Sequence, residues 1–253
     1  MSHLNISGIP VSKNEQLDIH NKLDPHTRSS RLSEIILGGQ DGLVNVLGVV
    51  LGVAAATSDP RIVLAAGMAA TFAESVSMGA VAYTSTLADN DLYTSEKERE
   101  YRHIHLAPDI EVEEIRDLYA QKGFEGETLD KIVEVITSNP DVWVAVMMSE
   151  EHQLQPPNRQ GGAIRSALVV GFSAIVGSLI PLVPFVFIPV VPSMIVSIMI
   201  AALTLFFAGV YKARVTVGHP GKSGLEMAVI GTLSALVGYA VGVLFQVPAA
   251  VVP

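Results

Sequence analysis

Residues 33–57 read SEIILGGQDGLVNVLGVVLGVAAAT, a 25-residue stretch with only two charged side chains. At a rise of about 1.5 Å per residue, an α-helix of this length crosses the roughly 30 Å hydrocarbon core of a bilayer. A second apolar stretch follows at 61–87, and three more lie at 163–187, 192–212 and 223–245. The sequence therefore predicts five transmembrane helices.

The composition agrees with a membrane protein. Of the 253 residues 49% are hydrophobic and 16% are charged, and the mean hydropathy is +0.43. The negative charge is concentrated between Asp89 and Gln155, where there are 17 acidic and 6 basic residues. Such a segment repels nucleic acid and attracts cations, so no nucleic-acid partner is expected. The absence of cysteine excludes disulfides and thiolate metal sites.

These features divide the chain into four parts. Residues 1–30 form a polar tail, 31–88 the first two transmembrane helices, 89–158 an acidic helical domain, and 159–253 the last three transmembrane helices. The predicted fold class is an all-α membrane protein with a small cytosolic helical metal-binding domain between the second and third transmembrane helices. A soluble all-helical protein is the alternative fold.

Within the acidic domain, apolar and charged residues recur at spacings of three and four, which indicates helices. Leu92–Ile104 is expected to continue the second transmembrane helix, and further helices are expected from Pro108 to about Gly123, at Thr128–Ser138 and at Pro140–Leu154. Between the third and fourth transmembrane helices, the prolines of LVPFVFIPVVP (182–192) are expected to break the helix.

Lysine and arginine residues beside the helix ends indicate the orientation in the membrane. They cluster before the first helix, before the third helix and between the fourth and fifth helices: Arg28, Arg31, Arg159, Arg165, Lys212, Arg214 and Lys222. This pattern places the N-terminus and the acidic domain in the cytosol and the C-terminus on the other side.

Potential metal ligands share helix faces in the acidic domain. The groups are Glu96, Glu100 and His103; Glu111 and Glu114; and Met147 and Glu151. Carboxylates that converge on one point repel each other unless they are protonated or bridged by a cation, so the pattern predicts a metal cluster. Histidine and methionine favour Fe(II), Mn(II), Co(II) or Zn(II) over calcium and magnesium. Alternatively, the glutamates are solvated surface and Met147 and Met148 belong to the core.

Two carboxylic acids lie inside predicted transmembrane helices. By helix rise, Asp41 and Glu74 are both about 12 to 14 Å below the cytosolic surface, where an ionised group costs at least about 2.5 to 3.5 kcal/mol. Asn45 lies one turn after Asp41, and Met78 lies one turn after Glu74. We therefore predict a transport path at Asp41, Asn45, Glu74 and Met78. A structural hydrogen bond or a helix-packing face is the alternative.

Six segments carry a resemblance to a known family: GGQDGLVNVLGVVLGV, ESVSMGAVAY, REYRHI, PDIEVEEI, NPDVWVAVMMSEEHQL and SGLEMAVIGTLSALVGYAVG. Over roughly Arg31 to Phe245 the chain resembles the vacuolar iron transporter family, which includes plant nodulin-like, bacterial and archaeal members. The resemblance implies a homodimer that exports ferrous iron from the cytosol in exchange for protons, through a path at the dimer interface between the first two helices of each subunit. Neither enzymatic activity nor a prosthetic group is expected.

The resemblance also assigns residues by position. It matches Asp41 and Met78 to the family's membrane site, and it matches a set of metal ligands in the acidic domain: Glu100, His103, Glu111, Glu114, Met147 and Glu151. Three positions depart from the family pattern. His103 stands where a glutamate is common, Met148 stands where some members place a carboxylate, and Ala70 stands where plant-type members carry a glutamate. Glu74 lies one turn after Ala70, on the same face of the helix. We predict Met148 as a metal ligand as well.

Together these observations predict a proton-coupled transporter of Fe2+, with Mn2+, Co2+ and Zn2+ as further candidate ions. The expected location is the cell membrane, or the vacuolar membrane in a eukaryote. A manganese transporter of the same architecture is one alternative. A membrane-tethered metal-binding or storage protein is the other, and the two membrane acids argue against it.

Overall fold

The computed structural model of this chain describes residues 29–57, 59–156, 162–215 and 218–245. Within these ranges the protein is helical and has no strand. In order, the helices are α1 (Ser29–Ala56), α2 (Pro60–Leu106), α3 (Pro108–Gln121), α4 (Gly126–Thr137), α5 (Pro140–Val146), a π-helical turn (Met147–Glu151), α6 (Gly162–Phe187), α7 (Val190–Val215) and α8 (Pro220–Leu244). The predicted all-α class is confirmed. Arg28, Arg159, the C-terminal tail and residues 1–28 of the polar tail lie outside the described residues.

Five of these helices are long and apolar enough to cross a membrane, namely α1, α2, α6, α7 and α8. This confirms the predicted number of spans. Their outward faces carry large apolar side chains such as Phe172, Val176, Leu203 and Leu233, all of them exposed. Apolar surface of this extent suits contact with lipid rather than with water.

The described residues divide into two compact units, one within residues 29–79 and 168–245 and the other within residues 80–167. Helix α1 lies at the centre of the first unit because two of its faces are buried. Leu43, Leu47 and Leu51 pack against α7 and α8 in one cluster. Val46 and Val50 pack against α2 and α6 in another. Spacings of four residues along each face place these side chains in line.

Glycines bring α1 and α8 into backbone contact. A Cβ atom added at Gly242 would lie 2.0 Å from the carbonyl oxygen of Gly52, and one added at Gly238 would lie 2.2 Å from that of Gly48. Small residues four apart are typical of helices that pack closely in membranes. The Gly48 and Gly52 positions therefore serve packing on this side of α1.

The break between α6 and α7 falls at Ile188 and Pro189, inside the predicted stretch 182–192. Helix α6 nevertheless continues through Pro181 and Pro184 to Phe187. The Ser197 hydroxyl donates a hydrogen bond of 2.7 Å to the carbonyl oxygen of Pro181. The Ser193 hydroxyl donates a hydrogen bond of 2.9 Å to the carbonyl oxygen of Ile188. In a regular helix this oxygen would accept from the backbone N–H of residue 192, but Pro192 has none. Hydroxyl groups on the neighbouring helix thus satisfy backbone carbonyls around the prolines.

The second unit contains a small helical core, built around Ile115, Val133, Trp143 and Val144. Residues 92–104 continue the second transmembrane helix, as predicted, because α2 is uninterrupted from Pro60 to Leu106. The helix predicted over Pro140–Leu154 is present as far as Glu151, but it is not α-helical throughout. The α-helix ends at Val146, and a π-helical turn follows.

Candidate metal sites

A polar group lies between α1 and α2 in the first unit. The Asn45 side-chain amide donates a hydrogen bond of 3.0 Å to Oε1 of Glu74, and the Glu74 carboxyl group also interacts with that of Asp41. Asn45 is exposed, whereas Asp41, Glu74 and Met78 are half-buried. The structure therefore brings together Asp41, Asn45 and Glu74 from two helices, three of the four residues predicted for the path. Met78 lies one helical turn after Glu74.

The second unit contains a cluster of carboxylates and histidines centred on Glu100. Glu100 is 2% exposed and Glu111 is 4% exposed. In each, the Oε2 atom accepts no hydrogen bond from any described residue. A buried carboxylate oxygen without a partner is costly, so a positively charged ligand is expected beside it.

Two triplets of ligand atoms converge on this cluster. One consists of Glu100, His103 and Glu111, and the other of Glu100, Glu151 and His152. Within each triplet the potential ligand atoms lie within 4.8 Å of one another. His103 Nδ1 is 3.3 Å from Glu111 Oε1, and His152 Nε2 is 3.0 Å from Glu100 Oε1. Both triplets use Glu100.

The charges of the cluster change the affinities of its members for protons. Burial, and then the charges of Glu114, Glu100 and Glu151, raise the pKa of Glu111 to about 7. Burial also raises the pKa of Glu151, against the lowering effect of His152. Burial opposes protonation of His152, but its hydrogen bond to Glu100 and the charge of Glu151 outweigh burial and raise its pKa. These carboxylates therefore repel one another, as the sequence predicted.

Other predicted ligands have different surroundings. Glu114 is close enough to interact with both Glu111 and Glu151. Glu96 forms an ion pair of 3.1 Å with Arg99 and interacts with His152. Met147 and Met148 are 1% and 2% exposed and belong to the apolar core of the unit. Their burial supports the packing role, and ligation by their sulfur atoms stays a prediction.

His152 was missed by the sequence analysis. In a regular α-helix it would be rotated about 100° away from Glu151. In the π-helical turn, the His152 amide donates to the carbonyl oxygen of Met147, five residues earlier, at 3.2 Å. At the end of this turn, the ligand atoms of Glu151 and His152 lie within 4.8 Å of each other and of one from Glu100. A histidine directly after Glu150 and Glu151 was the available signal, but the π-helical geometry could not be read from the sequence.

Comparison with known proteins identifies the family that the sequence segments resemble, over most of the chain. The model of the VIT family matches residues 32–243. This chain belongs to the VIT family. Vacuolar iron transporter 2 of Oryza sativa subsp. japonica is 34% identical over 218 residues, which cover 84% of this chain and 88% of the relative. Vacuolar iron transporter 1 of Tulipa gesneriana is 32% identical over 238 residues, covering 93% and 96% of the two chains.

A more distant relative, the vacuolar iron transporter of Plasmodium falciparum (isolate 3D7), is 29% identical over 250 residues and covers 93% of this chain. These relatives are named as transporters and not as enzymes. Family membership and the five apolar helices make this VIT family member an integral membrane protein.

Proposed function

We propose that this VIT family member carries ferrous iron out of the cytosol in exchange for protons. The observation that carries the proposal is the group of Asp41, Asn45 and Glu74 on two apolar helices. Ionisable side chains inside a membrane are expensive and commonly mark an ion path. The names of the relatives support iron as the transported ion.

Exchange with protons follows from the chemistry of carboxylates. A carboxylate that coordinates a cation cannot hold a proton at the same time, so binding of one ion releases the other. Asp41 and Glu74 have adjacent carboxyl groups, and one divalent cation between them would offset the repulsion between their charges. A proton gradient across the membrane would then drive metal in the opposite direction.

The acidic cluster has a separate role in this proposal, as the collector of metal from the cytosol. Its ligands are Glu100, His103, Glu111, Glu114 and Glu151, with Met147 and Met148 as candidate softer ligands. We propose a homodimer in which a second copy packs beside α1 and α2. Asn45 is exposed in the single chain, and so are the apolar side chains of Phe72 and Val76 on α2. A second copy would cover this surface and enclose the path.

Direction depends on the orientation of the chain in the membrane. We propose that the N-terminus and residues 89–158 face the cytosol, because Lys212, Arg214 and Lys222 lie at the connection between α7 and α8. Cysteines introduced singly after residue 250 should react with an impermeant reagent from the non-cytosolic side. One introduced near Gly126 should react only from the cytosol. The reverse labelling would contradict this orientation.

Ion flux into sealed proteoliposomes tests the function as a whole. Purified protein in liposomes with a fixed pH gradient should take up Fe(II), and the uptake should collapse when a protonophore removes the gradient. Parallel assays with Mn(II), Co(II) and Zn(II) separate an iron transporter from a manganese transporter of the same architecture. Binding without flux for every ion would identify a membrane-tethered storage protein instead.

A further inference from the structure

We infer that His152 is a metal ligand and that it completes, with Glu100 and Glu151, a second cation position beside the one formed by Glu100, His103 and Glu111. The Glu100 carboxylate is then shared between two ions, each of which has one imidazole ligand. This inference deepens the proposed function, because it concerns the metal-collecting cluster and the ions that the cluster prefers.

Geometry is the first support. His152 Nε2 lies 3.0 Å from Glu100 Oε1, and the ligand atoms of Glu100, Glu151 and His152 lie within 4.8 Å of one another. Metal–nitrogen and metal–oxygen bonds to ions such as Zn(II) are about 2.0 to 2.2 Å long. An ion among these three atoms needs only small side-chain movements to draw them into its coordination shell.

The unpartnered oxygen of Glu100 is a second, independent observation. This carboxylate is buried, yet its Oε2 atom has no hydrogen-bond donor among the described residues. His152 already contacts Oε1, so an ion pair with the histidine leaves the other oxygen unsatisfied. A second cation at this carboxylate gives Oε2 the partner that the ion pair does not supply. A bridging carboxylate therefore accounts for what the ion pair alone does not.

The backbone after α5 holds His152 in this place. The π-helical turn ends at Glu151, and Gln153 has a φ of +54°, which is rare outside glycine. The Leu154 amide then donates a 2.9 Å hydrogen bond to the carbonyl oxygen of Met148, and Leu154 packs against the core. π-Helical turns and left-handed residues recur at functional sites. Here Glu151 and His152 lie at the end of such a turn, directly before the left-handed residue Gln153.

The chemistry of this position predicts which ions it prefers. Carboxylates alone suit Mn(II), whereas an imidazole nitrogen raises the affinity for metals later in the Irving–Williams order, such as Co(II) and Zn(II). His152 should therefore contribute more to the binding of Co(II) than to that of Mn(II). If His152 only neutralises Glu100, its removal should instead leave metal binding unchanged or tighten it.

Replacement by cysteine gives a direct test, because the chain contains no cysteine of its own. In full-length His152→Cys protein in detergent, Co(II) should produce a near-ultraviolet thiolate-to-cobalt charge-transfer band, since thiolate is a strong ligand for such metals. The matched control is His105→Cys, an exposed histidine on α2 outside both triplets. It should give no band. Absence of the band at position 152, with Trp143 fluorescence that shows a folded core, would overturn the inference.

Stoichiometry provides the second measurement. Equilibrium dialysis against Co(II) should show one ion per chain that the His152→Gln variant binds more weakly than the wild-type protein does. The affinity for that ion should fall by about tenfold or more, with a smaller effect for Mn(II). Equal stoichiometry and affinity in the two proteins would overturn the inference. Fe(II) flux in proteoliposomes tests the proposed function separately, since flux can fail while both cobalt ions bind.

Discussion

Asn45 on α1 and Glu74 on α2 are joined by a hydrogen bond of 3.0 Å, from the amide nitrogen Nδ2 to the carboxylate oxygen Oε1. The Asp41 carboxyl group meets the same glutamate. Two helices that are otherwise packed through apolar residues thus share one polar group. Its position makes the membrane site testable by substitutions that change charge and preserve shape.

The first prediction concerns charge at the membrane site. Asp41→Asn keeps the size of the side chain but removes the negative charge that binds either a cation or a proton. Fe(II) flux should therefore fall to the background of protein-free liposomes. Glu74→Gln should have nearly the same effect. Glu226→Gln is the matched control, because Glu226 is exposed on α8 and pairs only loosely with Lys222 at 3.9 Å. Initial uptake at equal protein density is the measurement, and undiminished flux in Asp41→Asn would refute the mechanism.

The second prediction concerns the soft ligand at the same site. Met78→Ala should reduce the initial rate of Fe(II) uptake more than that of Mn(II), because a thioether contributes more to the softer ion. Met68→Ala, an exposed methionine two to three turns earlier on α2, is the control. Equal losses for the two ions would indicate that Met78 only packs between helices.

The third prediction separates ligand carboxylates from surface carboxylates on α3. Glu111→Ala combined with Glu114→Ala should weaken Mn(II) binding by about 10- to 100-fold in titration calorimetry, since it removes a buried ligand and its neighbour. Glu113→Ala combined with Asp117→Ala removes the same charge from the exposed face of the same helix and should change the affinity little. Equal effects of the two pairs would mean that the domain attracts cations only through its net charge.

The fourth prediction concerns the dependence of stability on pH without metal. The pKa of Glu111 is raised in the folded protein to about 7, from an ordinary value of 4.5 for a glutamate side chain. A raised carboxyl pKa stabilises the folded state at low pH, and this contribution is lost as the pH rises from about 4.5 through about 7. The raised pKa values of Glu151 and His152 act in the same direction.

The metal-free protein should therefore unfold more readily at pH 7.5 than at pH 5, and Mn(II) should reverse the difference. The only tryptophan, Trp143, lies in the core of this unit, so its fluorescence follows the relevant unfolding in denaturant. Glu111→Gln should flatten the dependence on pH. Metal-free stability that rises between pH 5 and pH 7.5 would contradict the assigned repulsion.

The fifth prediction tests the close packing of α1 and α8. Gly242→Ala places a Cβ atom 2.0 Å from the backbone of Gly52, and overpacking of this kind costs about 1 to 3 kcal/mol. Gly221→Ala, in the first turn of α8, meets nothing within 4 Å and should be neutral or slightly stabilising. Thermal unfolding in detergent compares the two variants, and equal midpoints would show that the helices can separate at no cost.

Sequence reasoning succeeded where a single helix carries the information. Spans such as 33–57 and the continuation of α2 through Ile104 depend on the hydropathy of the segment and on the spacing of its apolar residues. Both can be read without knowing which helix packs against the segment. Sequence reasoning placed the break between α6 and α7 within 182–192, but it did not show that α6 continues past Pro184 and that the break falls at Pro189. A proline can be read from the local sequence, whereas the free energy that it costs a helix depends on the helix packed beside it.

The sequence by itself determined the five apolar spans, the acidic segment between the second and third, and the types of candidate ligand residue in that segment. Only the tertiary structure decided which of the candidates meet: Glu100 between His103 and His152, and Glu74 beside Asn45 and Asp41. The reason is physical. Membrane insertion depends on the apolar content of each segment, but a metal site depends on distances of a few ångströms between atoms on different helices, which packing and one π-helical turn set.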